Sequence, residues 1–418
     1  MHFFEYKDQD LYCEDKKISE IADEVKTPFY LYSYATLERH FRVFNEAFNG
    51  MDHITCFSMK SNSNGAILRL FSRAGGGVDI VSGGELYRAL RAGVSPEKIV
   101  YSGVGKTAEE IEYALKSNIL MFNAESSQEI VRLNEVAGRM GKKARIAIRV
   151  NPDVDPQTHP YISTGLKENK FGIDINRSFD EYVKASKMEN IEVTGVSCHI
   201  GSQLTKVTPF VDALKKVKEL IARLGNAGIG IKNLDLGGGL GVTYNDEKPP
   251  LPEDYAAALK EILGSMNLTL ILEPGRVIMA NSCILVAKVL YTKSNEDKNF
   301  TIVDAAMNDL ARPSLYGSYH SIKPVRMDSA DIINMDIVGP ICESGDFLAK
   351  NREIPSLKQG DLIAVMSAGA YGFSMSSTYN SRPRVAEVMV KGDRHYIIRE
   401  RETHEDLIRG EVIPEFLK

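Results

Sequence analysis

Four places in this chain carry groups suited to covalent and anion chemistry. Lys60 closes the apolar run Cys56-Phe57-Ser58-Met59. An amine at the end of such a run is partly desolvated, which favours its neutral, nucleophilic form and equips it to make a Schiff base with an aldehyde. His199, between Cys198 and Ile200, offers a flat ring that can stack on another; a lone histidine in an apolar run is equally at home as a satisfied core residue. In Gly237-Gly238-Gly239-Leu240-Gly241 no Cβ keeps backbone N–H groups away from an anion. That run lacks the spacing of a dinucleotide loop, and read alone it is also consistent with a structural turn. Glu273-Pro274-Gly275-Arg276 sets a carboxylate that could hold a proton on a pyridine nitrogen near a guanidinium that could bind phosphate or carboxylate. By itself the pair reads as an ordinary ion pair.

The elements around these residues follow a regular pattern. Apolar runs centred on Ile54 to Met59, Val78 to Val81, Ile99 to Tyr101, Ile119 to Phe122, Ala144 to Val150, Val193 to His199, Leu234 to Leu236 and Leu268 to Leu272 alternate with amphipathic, helix-like stretches. Eight βα units over roughly 220 residues match a (β/α)8 barrel, with an open doubly wound sheet as the alternative. In a barrel the site lies at the C-terminal strand ends, and phosphate is often held after strands seven and eight. Lys60, His199, the glycine run and Glu273 to Arg276 follow the first, sixth, seventh and eighth runs, so all four fall on that face. After Arg276 the texture becomes β-rich, as in Ile284 to Tyr291, Phe300 to Val303, Leu362 to Met366 and Val385 to Val390. The expected organisation is an N-terminal segment, 1–30, joining a mainly β C-terminal domain, 277–418, around a barrel at 31–276.

Bulk composition narrows the function class. The 418 residues are 43% hydrophobic and carry 51 basic against 56 acidic side chains, a net charge of -5 without long single-sign runs. That gives no electrostatic footprint for nucleic acid. The five cysteines are dispersed, without a CxxC pair, as in a reducing cytoplasm. No basic-then-apolar leader and no membrane-length apolar run is present. The expectation is a cytoplasmic enzyme acting on a small molecule.

Taken together and in order, Phe57-Ser58-Met59-Lys60-Ser61-Asn62, Gly77-Val78-Asp79-Ile80-Val81-Ser82-Gly83-Gly84-Glu85, His199-Ile200-Gly201-Ser202-Gln203, the Gly237 run and Glu273-Pro274-Gly275-Arg276 resemble the fold-type III pyridoxal-phosphate-dependent decarboxylases. That family, with its alanine-racemase-like barrel, includes ornithine and diaminopimelate decarboxylases. Relatives commonly read Tyr-Ala-x-Lys-Ala-Asn around the lysine, a small departure that keeps the amine. The resemblance implies pyridoxal 5'-phosphate as cofactor, with Lys60 as its Schiff-base lysine, Glu273 keeping the pyridine nitrogen protonated and His199 stacked on the ring. It also implies that Ser202, Gly239, Gly275 and Arg276 bind the phosphate.

Three further segments are similar to the diaminopimelate branch: His159-Pro160-Tyr161-Ile162-Ser163-Thr164-Gly165, Met307-Asn308-Asp309-Leu310-Ala311-Arg312-Pro313-Ser314-Leu315-Tyr316 and Cys342-Glu343-Ser344-Gly345-Asp346. Ornithine decarboxylases place aspartate where this chain has Glu343 and lack the Arg312 segment. The resemblance therefore implies meso-diaminopimelate as substrate, with Arg276, Arg312 and Tyr316 on the distal carboxylate and Glu343 on the distal ammonium. Tyr371, in Gly369-Ala370-Tyr371-Gly372, would contact phosphate and substrate, and Cys342 would protonate the reacting carbon. The family also implies a homodimer in which Cys342 and Glu343 reach the partner's barrel. A sister decarboxylase acting on ornithine, arginine or a carboxylated polyamine is the alternative. A regulatory relative that has lost catalysis fits less well, since both Lys60 and Cys342 are present, and Cys342-Glu343 disfavours a racemase-like protein.

Overall fold

A computed structural model describes residues 2–155, 170–264, 266–296, 298–328 and 331–418. The chain divides into two compact units, Glu38–Ile278 and Met1–Leu37 together with Met279–Lys418. In the first unit eight parallel strands form a closed ring: His53–Ser58, Gly77–Ile80, Ile99–Tyr101, Met121–Ala124, Ala144–Asn151, Ile191–Ser197, Asn233–Asp235 and Thr269–Leu272. Leu270 pairs with His53 to join the eighth strand to the first, and Phe122 pairs with Ile146 to join the fourth to the fifth. This is the (β/α)8 barrel; the closure rules out the open sheet. Covered on both faces, the strands read as continuous apolar runs. Cys56, Val100, Met121, Ala147 and Ile271 form one fully buried cluster among them. A further two-residue strand, Ile173–Asp174, pairs with Val150 and Asn151 beyond the eight.

Short polar caps start the helices soon after the strands end. Asn64, Ser82 and Ser126 each accept a hydrogen bond from the first turn of the next helix. Thr107 and Glu110 form a reciprocal capping box, and that helix, Ala108–Ser117, ends on left-handed Asn118. Early capping keeps the strand-to-helix connections short, so strand ends and helix N-termini share one face.

The second unit is mainly β. Its sheet runs in the order Phe347–Pro355, Ile332–Val338, Asn299–Val303, Cys283–Ser294, Phe29–Ser33, Ala386–Lys391, Arg394–Arg399. Phe29–Ser33 is antiparallel to Cys283–Ser294 and parallel to Ala386–Lys391. All five of its residues are buried, so an N-terminal segment becomes an interior strand of a C-terminal sheet. Phe29, Leu31, Ile284, Val286, Val388 and Val390 share a core with Phe4 and Leu11 of the small N-terminal sheet. Among the described residues no helix is long and apolar enough to cross a membrane.

Candidate active site

Lys60 lies on the turn Met59–Ser61, just beyond the first barrel strand, and its Nζ donates to Asp79 Oδ2 at 3.0 Å. Asp79, in the second strand, is fully buried, and the same oxygen accepts from Ser58 Oγ at 2.8 Å. The lysine side chain is 37% exposed. Its surroundings are thus polar, an ion pair with a buried carboxylate, where the run Cys56 to Met59 had pointed to an apolar mouth.

Two more carboxyl groups are buried nearby, Asp235 at the end of the seventh strand and Glu273 after the eighth. Asn123 Nδ2 donates to Asp235 Oδ2 at 2.7 Å and reaches Glu273 Oε1 at 3.4 Å, while Ser102 Oγ donates to that Glu273 oxygen at 3.3 Å. Burial, then the charges of Asp235 and Asp79, push Glu273 well above the usual carboxylate range; burial lifts Asp235 to about 6. With one ammonium at hand, three dry carboxyl groups cannot all ionise. Asp235, which also accepts from Gly237 N–H at 2.8 Å, keeps the charge, and Glu273 keeps the proton.

His199 lies two residues past the sixth strand, with Nδ1 accepting from Gly238 N–H at 3.3 Å. Burial, followed by the charges of Arg149 and Lys60, presses the imidazole well below its ordinary value. The ring is therefore neutral with its proton on Nε2, a flat face without net charge. The glycines are required by close approach: a Cβ on Gly237 would lie 2.6 Å from His199 Nδ1, on Gly238 2.2 Å from the Glu273 carbonyl oxygen, and on Gly239 2.5 Å from that of Gly201. Gly237 and Gly238 spend their amides on Asp235 and His199. Among the described residues only the Gly239 amide of the three has no acceptor.

Arg276 is 7% exposed, with Nε and Nη2 donating to Ser202 Oγ at 3.2 and 3.1 Å and Nη1 to Tyr244 OH at 2.8 Å. A Cβ on Gly275 would sit 3.0 Å from that of Ser58, which brings the Gly275 backbone against the Lys60 turn. The barrel unit thus gathers Lys60, His199, Ser202, Gly239, Glu273, Gly275 and Arg276 at its C-terminal strand ends.

In the β unit the remaining expected residues are tied together by side chains from several loops. Arg312 is buried in the short helix Arg312–Tyr316 and donates to Ser318 Oγ at 3.1 Å; Tyr316 closes that helix, half-buried. Ser314 Oγ donates to the Gly345 carbonyl at 2.6 Å, joining the helix to the Cys342 segment. Asp346 accepts from the amides of Met307 and Ile341, and Asn380 Oδ1 accepts from Cys342 N–H at 2.8 Å. Cys342 and Glu343 are exposed. Tyr371 has φ +56°, a left-handed conformation rare for an aromatic residue, between Gly369 and Gly372, where a Cβ would meet backbone oxygens at 2.0 and 2.2 Å. The His159 to Gly165 segment lies outside the described residues.

Several site residues were missed by sequence reasoning. Asp79, Arg149 and Asp235 are charged residues inside apolar runs and Asn123 directly follows one, which was a usable signal; Ser102 and Tyr244 offered none. Arg149 pairs with Glu125 at 2.8 Å and reaches the His199 carbonyl at 3.5 Å, supporting that residue from below. Asp79 Oδ1 and Asn123 Oδ1 are buried without a partner among the described residues, so protein groups alone do not close the network. An amine, a protonated carboxyl, a neutral flat ring, and an amide, hydroxyl and guanidinium together suit an aldehyde that carries a pyridine ring and a phosphate.

The chain matches the family model described as "Pyridoxal-dependent decarboxylase, pyridoxal binding domain" over residues 34–280. It is 54% identical to the diaminopimelate decarboxylase of Haemophilus influenzae, over 97% of this chain and 98% of that one. Its structure resembles that of diaminopimelate decarboxylase from Helicobacter pylori complexed with L-lysine, with TM-score 0.91, 46% identity and coverage of 94% and 98%. The corresponding M. jannaschii enzyme in co-complex with L-lysine gives TM-score 0.95 at 38% identity over 99% of both chains.

Proposed function

The chain belongs to the diaminopimelate decarboxylase branch of the pyridoxal-dependent decarboxylases, and from that premise we propose that it converts meso-2,6-diaminopimelate to L-lysine and CO2, the step that completes lysine biosynthesis. One observation carries this: a chain about half identical, end to end, to diaminopimelate decarboxylases gathers Lys60, Glu273, His199 and Arg276 at one face of its barrel. When bound, pyridoxal 5'-phosphate would supply an electrophilic carbonyl and a ring that accepts the electron pair left behind by CO2.

The chain's own residues supply the rest. Lys60 would provide the amine that holds the cofactor, and a proton leaving its Nζ has Asp79 Oδ2 at 3.0 Å to receive it. Glu273 would hold a proton at the cofactor's ring nitrogen, its buried, charged neighbours disfavouring a second bare charge there. The neutral His199 ring would stack on the cofactor's ring and keep water from it. Ser202, Gly239, Gly275 and Arg276 would hold the cofactor's phosphate, and Tyr371 would contact phosphate and substrate. Tyr244 and Ser202 fix the Arg276 guanidinium so that its planar fork keeps one orientation.

Substrate choice follows from charge. Diaminopimelate has a second amino-acid end that ornithine lacks, and its carboxylate calls for cationic, bidentate partners. Arg312, Arg276 and Tyr316 take that carboxylate, and Glu343 the distal ammonium. Cys342 gives a proton to the carbon that has lost CO2. In this reading the protein is a cytoplasmic homodimer in which Cys342 and Glu343 serve the partner's barrel. The test is CO2 release from meso-diaminopimelate, L-ornithine and L-arginine offered separately to the cofactor-loaded enzyme, with the amino-acid product identified. Lysine from diaminopimelate alone is expected; turnover of ornithine or arginine instead would give the substrate to a sister enzyme.

A further inference from the structure

Asp235 is buried and charged, yet the reaction outlined above gives it no part. Its two oxygens serve two different pieces of the cofactor site. Oδ1 accepts from the Gly237 amide at 2.8 Å, at the head of the glycine turn. Oδ2 accepts from Asn123 Nδ2 at 2.7 Å, and the same nitrogen reaches Glu273 Oε1 at 3.4 Å. We propose that Asp235 is a positioning residue that locks the glycine turn and Glu273 into one frame, and that its fixed negative charge keeps the proton on the pair formed by Glu273 and the cofactor's ring nitrogen. The inference rests on the role given to Glu273 above.

The surrounding groups leave this task to Asp235. Asp79, on the second strand, is matched by Lys60 at 3.0 Å and, with the cofactor held, by the proton that leaves Nζ. Cys56, on the first strand, is buried and its thiol is pushed well above its ordinary value, so it stays neutral. Ser102 and Asn123 carry no charge. Behind Asp235, burial keeps Tyr255 and Cys198 neutral as well. Among the described residues no cation pairs with Asp235. In a dry site a fixed negative charge opposes a second one, so the proton shared by Glu273 and a ring nitrogen is held more tightly than Glu273 alone would hold it.

The test uses holoenzyme loaded with cofactor isotopically labelled at the ring nitrogen, whose NMR shift reports protonation directly and needs no turnover. In wild type the nitrogen should stay protonated to high pH. In Asp235→Asn it should lose the proton at a pH lower by about one unit or more, and Asp235→Glu should recover most of the difference. Weaker cofactor retention in Asp235→Asn with an unchanged titration would mean a structural role only and overturn the proposal. Glu273→Gln separates the two layers of the argument: an unprotonated nitrogen there upholds the premise, whereas a wild-type titration sinks the reading of Glu273 and this inference with it. Should Asp235→Asn fail to fold, Asn123→Asp adds a carboxylate from the other side and should move the titration up; no movement would likewise overturn the proposal.

Discussion

On the role proposed for Lys60, an ammonium resting on a buried carboxylate must let go before it can act, and the Lys60–Asp79 contact would build that release into the first step. Glu85 shows how such a site colours its neighbours. Its Oε2 accepts from Val81 N–H at 2.7 Å at the start of the helix Gly83–Arg91. Burial, with Asp79's charge adding to it, nevertheless raises its carboxyl from 4.5 to about 7. A raised folded value means that the native state binds the proton more tightly than the unfolded chain does. The stabilisation is whole below the unfolded value, drains away as pH climbs from 4.5 to about 7, and is gone above that. Glu85→Gln should flatten this part of the stability profile, which unfolding midpoints measured across that range would show. An undiminished slope would place the sensitivity elsewhere.

At the scale of elements, the connection after the third strand is pinned by Lys106, whose Nζ donates to the carbonyls of Gly103 and Asn123 and pairs with Glu129 Oε1 at 2.8 Å. The two side chains are 1% and 7% exposed. Removing one partner of a buried pair strands the other charge, so Lys106→Ala should cost about 3–5 kcal/mol, read by denaturant unfolding. Replacing both with apolar residues of similar volume should recover most of it; a loss near zero for the single variant would show that solvent reaches Glu129. This layer was the hardest to see in the sequence. Strand positions were legible because apolar runs bounded by caps and turns are local signals, and the joining of N-terminal residues to the β-rich half was legible as well. Lys60, His199, the glycine turn and Glu273 to Arg276 were legible because the barrel fixes which end of a strand faces the site. Their partners were not: Asn123 meets Asp235 across 112 residues and Ser102 meets Glu273 across 171, contacts that exist only once the ring has closed. The polar setting of Lys60 was missed for the same reason, since Asp79 comes from the neighbouring strand.

For the molecule as a whole, the shared sites proposed above make a quantitative prediction. Lys60→Ala and Cys342→Ala chains should each be nearly inactive. After equal mixing and exchange, half the dimers are hybrids with one intact site of two, so activity should return to about one quarter of wild type. No recovery despite demonstrated exchange would confine each site to one chain. The same cysteine has a consequence for how the protein meets reactive small molecules. Cys13, Cys56, Cys198 and Cys283 are buried and Cys342 is exposed, so an alkylating electrophile finds one accessible thiol per chain. On the role proposed for that sulfur, chemical labelling and loss of turnover are one event: the position best suited to carry a probe is the one the enzyme cannot spare, and the same holds for an inhibitor designed to bond there.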